Sequence, residues 1–240
     1  MGGNRWHGRP TRDRRYARTV VSSALPKADV GAVRTRDAVR TRAEILEVAA
    51  EEFARIGYAG ARVDEIAARM STTKRMIYYY FGGKEQLFIA VLEHAYTRIR
   101  AIEQEIDLAA IGPVAAIREL ASRTFDHHDA HPDFVRLVSI ENIHLAEHMA
   151  KSPVLRSLSS PAVDVTSAIL AAGAAEGVFH TAGDALDIHM LISAFCVFRV
   201  ANRHTFRLLF DRDLLDEGRR EVQRRMLGDV VVAYLTTPVS

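Results

Sequence analysis

Apolar residues recur at three- and four-residue spacing along most of this chain, a pattern that predicts amphipathic helices. The first predicted helix begins at Arg34, and Gly57 follows its last periodic residue and ends it. Its inner face holds Ile45, Leu46, Ala49, Phe53 and Ile56. A second, short helix ends before a turn at Ser71-Thr72. Its inner face holds Val63, Ile66, Ala67 and Met70.

Thr73 is the predicted N-cap of a third helix, because its hydroxyl can accept a hydrogen bond from a free backbone N–H. This helix covers Lys74 to Tyr80, and Gly82-Gly83 breaks the chain after it. A long helix then opens at Lys84 and keeps its period for about six turns.

Five further helices are predicted, from Pro113 to before His131 and over 132–149, 162–175, 184–210 and 214–235. Residues 151–161 have the composition of a loop. No segment alternates with a period of two. The sequence therefore predicts an all-α fold of about nine helices.

The composition fits a globular protein of the cytoplasm. Hydrophobic residues make up 48% and charged residues 26% of the 240, and no run of about 18 apolar residues predicts a membrane span. The single cysteine, Cys196, lies in an apolar segment, which excludes an internal disulfide and is typical of a small buried hydrophobe. No glycine-rich phosphate loop or nucleophile elbow is present, so we expect no cofactor.

Charge is unevenly distributed along the chain. Residues 1–33 hold seven basic and two acidic residues, residues 34–85 ten and eight, and residues 86–240 fifteen and twenty. Residues 1–33 lack helical periodicity and are predicted to be a disordered basic tail. The tail could follow DNA phosphates or enter a minor groove, or it could be a solvated segment or an artefact of start-codon choice.

Three short helices with a capped third helix are typical of a helix-turn-helix, which places its third helix in the DNA major groove. Cations there can contact guanine edges or phosphates, and tyrosine hydroxyls are typical phosphate donors. Lys84 stands at a helix N-terminus, where its charge favours a phosphate. The alternative is that the tyrosines are half-buried packing groups and the cations a solvated face. The predicted DNA-binding residues are Arg62, Thr73, Lys74, Arg75, Met76, Tyr78, Tyr79, Tyr80 and Lys84.

Residues 41–92 resemble the DNA-binding domain of the TetR family of transcriptional regulators. The resemblance rests on Gly57-Tyr58, Ile66-Ala67, Ile77-Tyr78-Tyr79-Tyr80-Phe81 and Lys84-Glu85-Gln86-Leu87. Three positions depart from the family pattern. Ala61-Arg62 replace a Ser or Thr at the start of the second helix, Ser71 replaces a turn glycine, and Arg75 replaces a small residue. These departures imply an operator unlike those of commoner members.

The resemblance implies a DNA-binding domain over residues 34–83 and an effector-binding and dimerisation domain over residues 84–240. It also implies a homodimer formed by the last two helices, a palindromic double-stranded DNA operator, and a small-molecule effector that relieves repression. The predicted helix 184–210 supports the dimer independently, because it is apolar on more than one face.

Residues 133–149 and 187–206 resemble the C-terminal domain of a TetR subgroup that includes a nicotinate-responsive repressor. That resemblance implies an aromatic or heteroaromatic acid as effector, with Arg199 as the candidate carboxylate partner. The predicted ligand-binding residues are Phe134, Glu141, Asn142, His144, Phe195, Phe198, Arg199 and Asn202. Each of them could instead form an interhelical hydrogen bond or an interface salt bridge.

One alternative function is a zinc-dependent enzyme or a metal-responsive regulator. His144-Leu-Ala-Glu147-His148 matches the H-x-x-E-H pattern of one class of zinc peptidases, and two histidines four residues apart share a helix face. Glu217 or Glu221 is the candidate third ligand, and His127, His128 and His131 are further candidate ligands. A five-residue pattern arises easily by chance, and the all-helical chain does not suit such an enzyme.

Overall fold

The structure is a computed structural model, and it describes residues 30–238 except 71, 181 and 182. For residues 30–36 and 159–162 only the backbone is described. The predicted basic tail up to Asp29 and the predicted turn residue Ser71 therefore lie outside the described residues. Residues 30–33, which the sequence analysis assigns to the tail, are helical.

The described residues contain α-helices, one short 3-10 helix at Met149–Lys151 and no strand, so the predicted all-α class is confirmed. There are eleven α-helices in this part of the chain rather than about nine. They are α1 Val30–Gly60, α2 Val63–Arg69, α3 Lys74–Phe81, α4 Lys84–Gln104, α5 Leu108–Ala130, α6 Pro132–Ile143, α7 Pro153–Ser157, α8 Ser159–Ala175, α9 Ala185–Ala201, α10 Arg203–Phe210 and α11 Glu217–Thr236.

Residues 39–240 form one compact unit with three apolar clusters. The first joins α1 to α4 and includes Phe53, Ile77 and Phe88 together with Leu137 of α6. Because α6 contributes to this cluster, the N-terminal helices and the later helices share a core. The other two clusters hold α5, α8, α9 and α11 together and pack α4 against α6 and α9.

The first two breaks in the helical pattern occur where the sequence predicts them. Gly57 interrupts α1 with a φ of 76°, and Gly82 ends α3 with a φ of 82°, both in the left-handed region that favours glycine. Cys196 is fully buried, as predicted, and burial raises the pKa of its thiol to about 12.

The predicted helix 132–149 is wrong in its second half, because α6 ends at Ile143. Leu145 and Ala146 have φ angles of 56° and 57°, so the chain turns there. The buried Glu141 carboxylate accepts hydrogen bonds from the backbone N–H groups of His148 and Met149 at 3.2 and 3.0 Å. Side-chain bonds of this kind satisfy backbone donors that a continuing helix would otherwise use.

Two further predicted boundaries need correction. The predicted loop 151–161 contains α7 and the start of α8, and Ser152 caps α7 by accepting a hydrogen bond from the Leu155 N–H at 3.1 Å. The predicted helix 184–210 is two helices, α9 and α10, whose axes are bent by 65° at Asn202. The Asn202 side chain donates to the Phe198 carbonyl at 3.2 Å, next to the break.

Candidate nucleic-acid interface and effector cavity

Helix α3 is anchored from one side and exposed on the other. Ile77 and Phe81 are buried against α1, α2 and α4, and they hold the helix in place. The Thr73 hydroxyl accepts a hydrogen bond from the Met76 N–H at 3.3 Å, which confirms the predicted cap. The opposite face is therefore rigidly presented to solvent.

This exposed face carries most of the predicted DNA-binding residues. Tyr79 is 78% exposed, and Thr73, Lys74, Arg75, Met76 and Tyr78 are exposed as well. Tyr80 differs, because it is half-buried and packs on the first apolar cluster and beside the Tyr79 ring. Tyr80 is thus mainly a packing residue, in agreement with the alternative considered from sequence.

The four cations predicted to bind DNA have different surroundings. The Lys74 ammonium pairs with the Asp64 carboxylate of α2 at 3.0 Å. The Lys84 ammonium donates to the Ala59 carbonyl at 3.3 Å and lies 4.7 Å from the centre of the Tyr58 ring, and burial lowers its pKa. Neither Arg62 nor Arg75 has an ion-pair partner within the described part of the chain, so their guanidinium groups are free for phosphate or base contacts.

Tyr58 connects the end of α1 to the segment that follows α6. The His148 ring lies 4.3 Å from the Tyr58 ring and 5.0 Å from the ring of Phe88 in α4. The His148 Nδ1 atom bonds the buried Glu141 carboxylate at 2.8 Å. These contacts join residues 141–149 to the start of α4, and Lys84 lies on the same Tyr58 ring.

The same contacts exclude the predicted zinc-binding helix. His144 and His148 do not share a helix face, because the helix ends at Ile143. His144 is exposed, and His148 is buried and bonded to Glu141. In the part of the chain that the structure describes, no three His, Cys, Asp or Glu residues are grouped as a metal site requires.

An effector-sized cavity of about 220 Å³ lies between α4, α7, α8 and α9. Its polar lining consists of Tyr96, Arg100 and His189, and its apolar walls are Met149, Leu155, Leu158, Val163 and Leu186. Burial raises the pKa of Tyr96 and lowers the pKa of His189. At neutral pH the cavity therefore offers a phenol, an uncharged imidazole and one guanidinium.

Arg100 is buried and only partly satisfied. It forms an ion pair with Glu103, but the Arg100 Nε atom and the Glu103 Oε1 atom have no hydrogen-bond partner among the described residues. Burial raises the pKa of Glu103, although Arg100 counteracts this. Arg100 thus keeps a donor for an acidic ligand.

The eight predicted ligand-binding residues are not brought together. Arg199 is bonded through all three of its nitrogens, because it donates to Gln223 at 2.8 Å, to the Leu214 carbonyl at 3.1 Å and to Asp129 at 3.3 Å. Its guanidinium also lies 3.9 Å from the centre of the Phe125 ring. Arg199 therefore joins α9 to α5 and α11. This is the interhelical contact that the sequence analysis gives as the alternative to ligand binding.

The remaining members of the predicted set also have other surroundings. Glu141 is occupied by His148 and Met149, and Asn142 and Asn202 donate to carbonyls of their own helices. Phe195 packs beside Phe125, and Phe198, which is 47% exposed, contacts Phe206. His144 is exposed, and Phe134 lines a different cavity, at the junction of α1 with α4 and α6.

Sequence reasoning missed Tyr96, Arg100 and Glu103. Tyr96 lies three residues before and Glu103 four residues after Ile99, which is a core position of α4, and Arg100 lies four residues after Tyr96. A charged pair at core positions of an amphipathic helix is the signal that identifies them.

Comparison with known proteins gives the family. Residues 45–91 match the description "Bacterial regulatory proteins, tetR family", and residues 113–231 match "Tetracyclin repressor-like, C-terminal domain". The HTH-type transcriptional repressor NicS of Pseudomonas putida strain KT2440 is 40% identical over 203 residues, which cover 85% of this chain and 96% of NicS. The chain belongs to the TetR family. Its resemblance to a NicS-like subgroup is confirmed.

Other TetR-family members agree. The repressor SCO4008 of Streptomyces coelicolor is 42% identical over 110 residues, which cover 45% of this chain and 53% of SCO4008. The crystal structure of a tetR-family regulatory protein from Rhodococcus RHA1 has the same fold, with a TM-score of 0.65 and 20% identity over 82% of this chain and 98% of that chain.

TetR-family membership makes this chain a helix-turn-helix transcriptional regulator and not a zinc-dependent enzyme. Regulators of the family bind DNA operators and small-molecule effectors and commonly dimerise. Among the described residues no single helix is long and apolar enough to cross a membrane; α9 and α10 reach that composition only as a bent pair.

Proposed function

We propose that the chain acts as a homodimeric repressor that binds a palindromic operator through α3 and is released by a small aromatic or heteroaromatic acid. The observation that carries the proposal is the exposed face of α3, where Arg75 is free and the buried Ile77 and Phe81 fix the helix. Insertion of such a helix into the major groove places side chains from its first turns on base edges.

The surroundings of the cations divide the proposed DNA contacts into two kinds. Arg75 points from the exposed face without a partner, so it is the proposed base-reading residue, because arginine bonds guanine in a bidentate manner. Arg62, at the N-cap of α2, is the proposed phosphate contact. Lys74 must leave Asp64 before it can bind a phosphate, which lowers its contribution.

The proposed dimer interface lies on α9 and α11. Each helix has an exposed apolar stripe with four-residue spacing: Leu186, Met190 and Phe198 on α9, and Val222, Met226, Val230 and Tyr234 on α11. Two helices per subunit with unburied apolar stripes can form a four-helix interface around a twofold axis. This arrangement carries two copies of α3 to successive turns of the operator.

The proposed effector site is the cavity lined by Arg100, Tyr96 and His189. A ligand carboxylate can pair with the partly satisfied Arg100 guanidinium, and the five apolar side chains enclose an aromatic ring. This site preserves the acidic effector implied by the NicS-like resemblance and replaces Arg199 as its partner.

Helix α4 is the proposed connection between effector and operator. Arg100 lies near its C-terminal end, and Lys84 and Phe88 lie at its other end, against Tyr58. An effector that fits one position of α4 better than the other shifts the population between two spacings of the α3 helices. Release of the operator then follows from that difference in affinity alone.

The test is a gel-shift titration with the DNA upstream of the protein's own coding region, at several salt concentrations. We expect Arg75→Ala to cost about 1–3 kcal/mol and to relax preference at one operator position. Arg62→Ala is expected to weaken all sequences alike and to reduce the salt slope by about 1.

Arg123→Ala is the control, because this arginine of α5 pairs with Glu105 and Glu119, which belong neither to α3 nor to the proposed dimer stripes. It should leave operator binding unchanged. Operator binding that survives the combined loss of Arg62 and Arg75 with an unchanged salt slope would refute the proposed groove contact.

A further inference from the structure

A second cavity of about 220 Å³ lies where α1 meets α4 and the segment that joins α5 to α6. It is separate from the proposed effector cavity and shares no lining residue with it. The edge contact between the Tyr96 and Phe134 rings, at 5.2 Å, stands between the two. This junction cavity is thus lined by helices of both the DNA-binding and the effector domain.

His127 is the unexplained residue of the junction cavity. It is only 5% exposed, and neither of its ring nitrogens has a hydrogen-bond partner among the described residues. A buried polar group without a partner is costly and rare in folded proteins. Burial, reinforced by His131 and other nearby cations, lowers the pKa of His127 to about 3. At neutral pH its ring is uncharged and offers one donor and one acceptor nitrogen.

Carboxylates outnumber arginines and lysines in the lining of this cavity, although the charges that lower the pKa of His127 come from the neighbouring histidines, Arg98 and Arg100. Glu47, Glu51 and Asp133 line the cavity, and Arg98 is its only arginine or lysine among the described residues. Arg98 is already paired with Glu47 at 3.2 Å, and Glu51 is paired with Arg69. Asp133 has no ion-pair partner within the described chain, and burial raises its pKa. Arg136, one turn along α6, counteracts this rise, and a cation inside the cavity would give Asp133 a direct ion pair.

The remaining lining is suited to an apolar body rather than to a bare ion. Val91, Ala95, Phe134 and Leu137 contribute the apolar surface. The histidines and carboxylates are not grouped as a metal site requires in the described part of the chain. The space is large enough for a single aromatic ring, since an apolar cavity of about 150 Å³ holds benzene.

We propose that the junction cavity is a second ligand site, which binds a small organic cation: an ammonium or amidinium group on a compact apolar body. The cation pairs with Asp133 and donates a hydrogen bond to the acceptor nitrogen of His127, while its apolar body packs on Phe134. Because the cavity is lined by α1, α4 and α6, the bound cation bridges the DNA-binding helices to the effector domain. It therefore changes operator affinity independently of the effector cavity.

Isothermal titration calorimetry of the full-length protein without DNA tests the site, with benzamidinium chloride as the probe. We expect saturable benzamidinium binding with a Kd of about 1 mM or below. Asp133→Asn and His127→Phe should each weaken it by about tenfold, since each removes one charge-assisted contact. Glu176→Gln, which removes an exposed carboxylate of the loop after α8, should have no effect.

Two outcomes would overturn the site: no benzamidinium binding up to about 10 mM, or equal benzamidinium affinity in Asp133→Asn and wild type. Asp133→Asn alone decides the matter if His127→Phe does not fold. In gel shifts, benzamidinium should change the operator affinity of wild type but not of Asp133→Asn. Unchanged operator affinity would overturn the regulatory role, and calorimetry remains decisive for the site even if no operator is found.

Discussion

Arg100 and Arg199 are both buried arginines of the effector domain, but their surroundings give them different tasks. Every nitrogen of Arg199 donates to a partner on another element, whereas the Nε atom of Arg100 has none in the described chain. A guanidinium bonded through all three nitrogens to other parts of the chain is held in place and stabilises the fold, whereas an unbonded Nε is a donor open to a ligand. Removing each arginine should therefore give a different phenotype.

We expect the double variant Arg100→Met, Glu103→Gln to keep operator binding and to lose release by aromatic acids. The second change is needed because an unpaired buried carboxylate would destabilise the fold by several kcal/mol. Loss of one charge-assisted carboxylate contact should reduce affinity for the acid by roughly tenfold or more. Gel shifts in the presence of nicotinate and benzoate measure this release.

Arg199→Met is the matched comparison for the Arg100 variant. It should lower the free energy of unfolding by about 1.5–3 kcal/mol, because the hydrogen bonds that join α9 to α5 and α11 are lost, although Asp129 keeps Arg220 as a partner. Urea denaturation measures that loss. A stable Arg199→Met protein that no longer responds to the acids would refute the role of Arg100. It would support Arg199 as the carboxylate partner, as the sequence predicts.

The sequence identifies the type of each DNA-binding residue but not its partner. The tyrosines and cations around α3 are readable as a groove-binding set, and the Thr73 cap follows from local rules. That Lys74 is held by Asp64, or that Lys84 lies on Tyr58, depends on the approach of other elements. Such contacts are set by tertiary packing, which periodicity does not encode.

At the scale of the element, some helix boundaries follow from local sequence rules and others depend on tertiary contacts. The breaks at Gly57 and Gly82 are predicted because a glycine there suits the left-handed conformation. Ser152-Pro153 is a helix start that local rules could have identified, with a capping serine before a proline in the first turn. The end of α6 could not be identified, because it depends on the buried Glu141 carboxylate bonding His148 and Met149.

Helix α8 gives a prediction that belongs to this scale. A Cβ added at Gly173 would lie 1.9 Å from the buried Phe179 ring, which packs in the cluster of α5, α8, α9 and α11. We expect Gly173→Ala to lower the free energy of unfolding by about 1–3 kcal/mol, the usual cost of overpacking. Urea denaturation with a constant m-value measures the change.

Gly60→Ala is the control for Gly173→Ala, since its added Cβ meets only Ile56 of its own helix at 3.5 Å. It should leave the unfolding free energy nearly unchanged. Equal stability of Gly173→Ala and wild type would mean that α8 and Phe179 do not pack as the structure shows.

At the scale of the whole molecule, the exposed apolar surface is concentrated on the last three helices. Leu208, Leu209 and Phe210 of α10 are 85%, 71% and 63% exposed, next to the stripes of α9 and α11. So many exposed apolar side chains on three successive helices are typical of an interface. A dimer explains it and also supplies the second α3 that a palindromic operator requires.

Charge placed in the stripes should therefore abolish the dimer without unfolding the subunit. We expect Met190→Glu on α9 and Val230→Glu on α11 to give monomers in sedimentation-velocity experiments at concentrations where wild type is dimeric. Both residues are about half exposed in the single chain, at 61% and 50%, so a glutamate is tolerated there until a partner buries it. The monomers should keep the helical circular dichroism of wild type and lose operator affinity, because each retains only one α3.

Ile143→Glu is the control, since Ile143 is 76% exposed at the end of α6, outside the stripes. If both stripe variants remain dimeric, the subunits associate through another surface, and the exposed residues of α9 and α11 need a different partner.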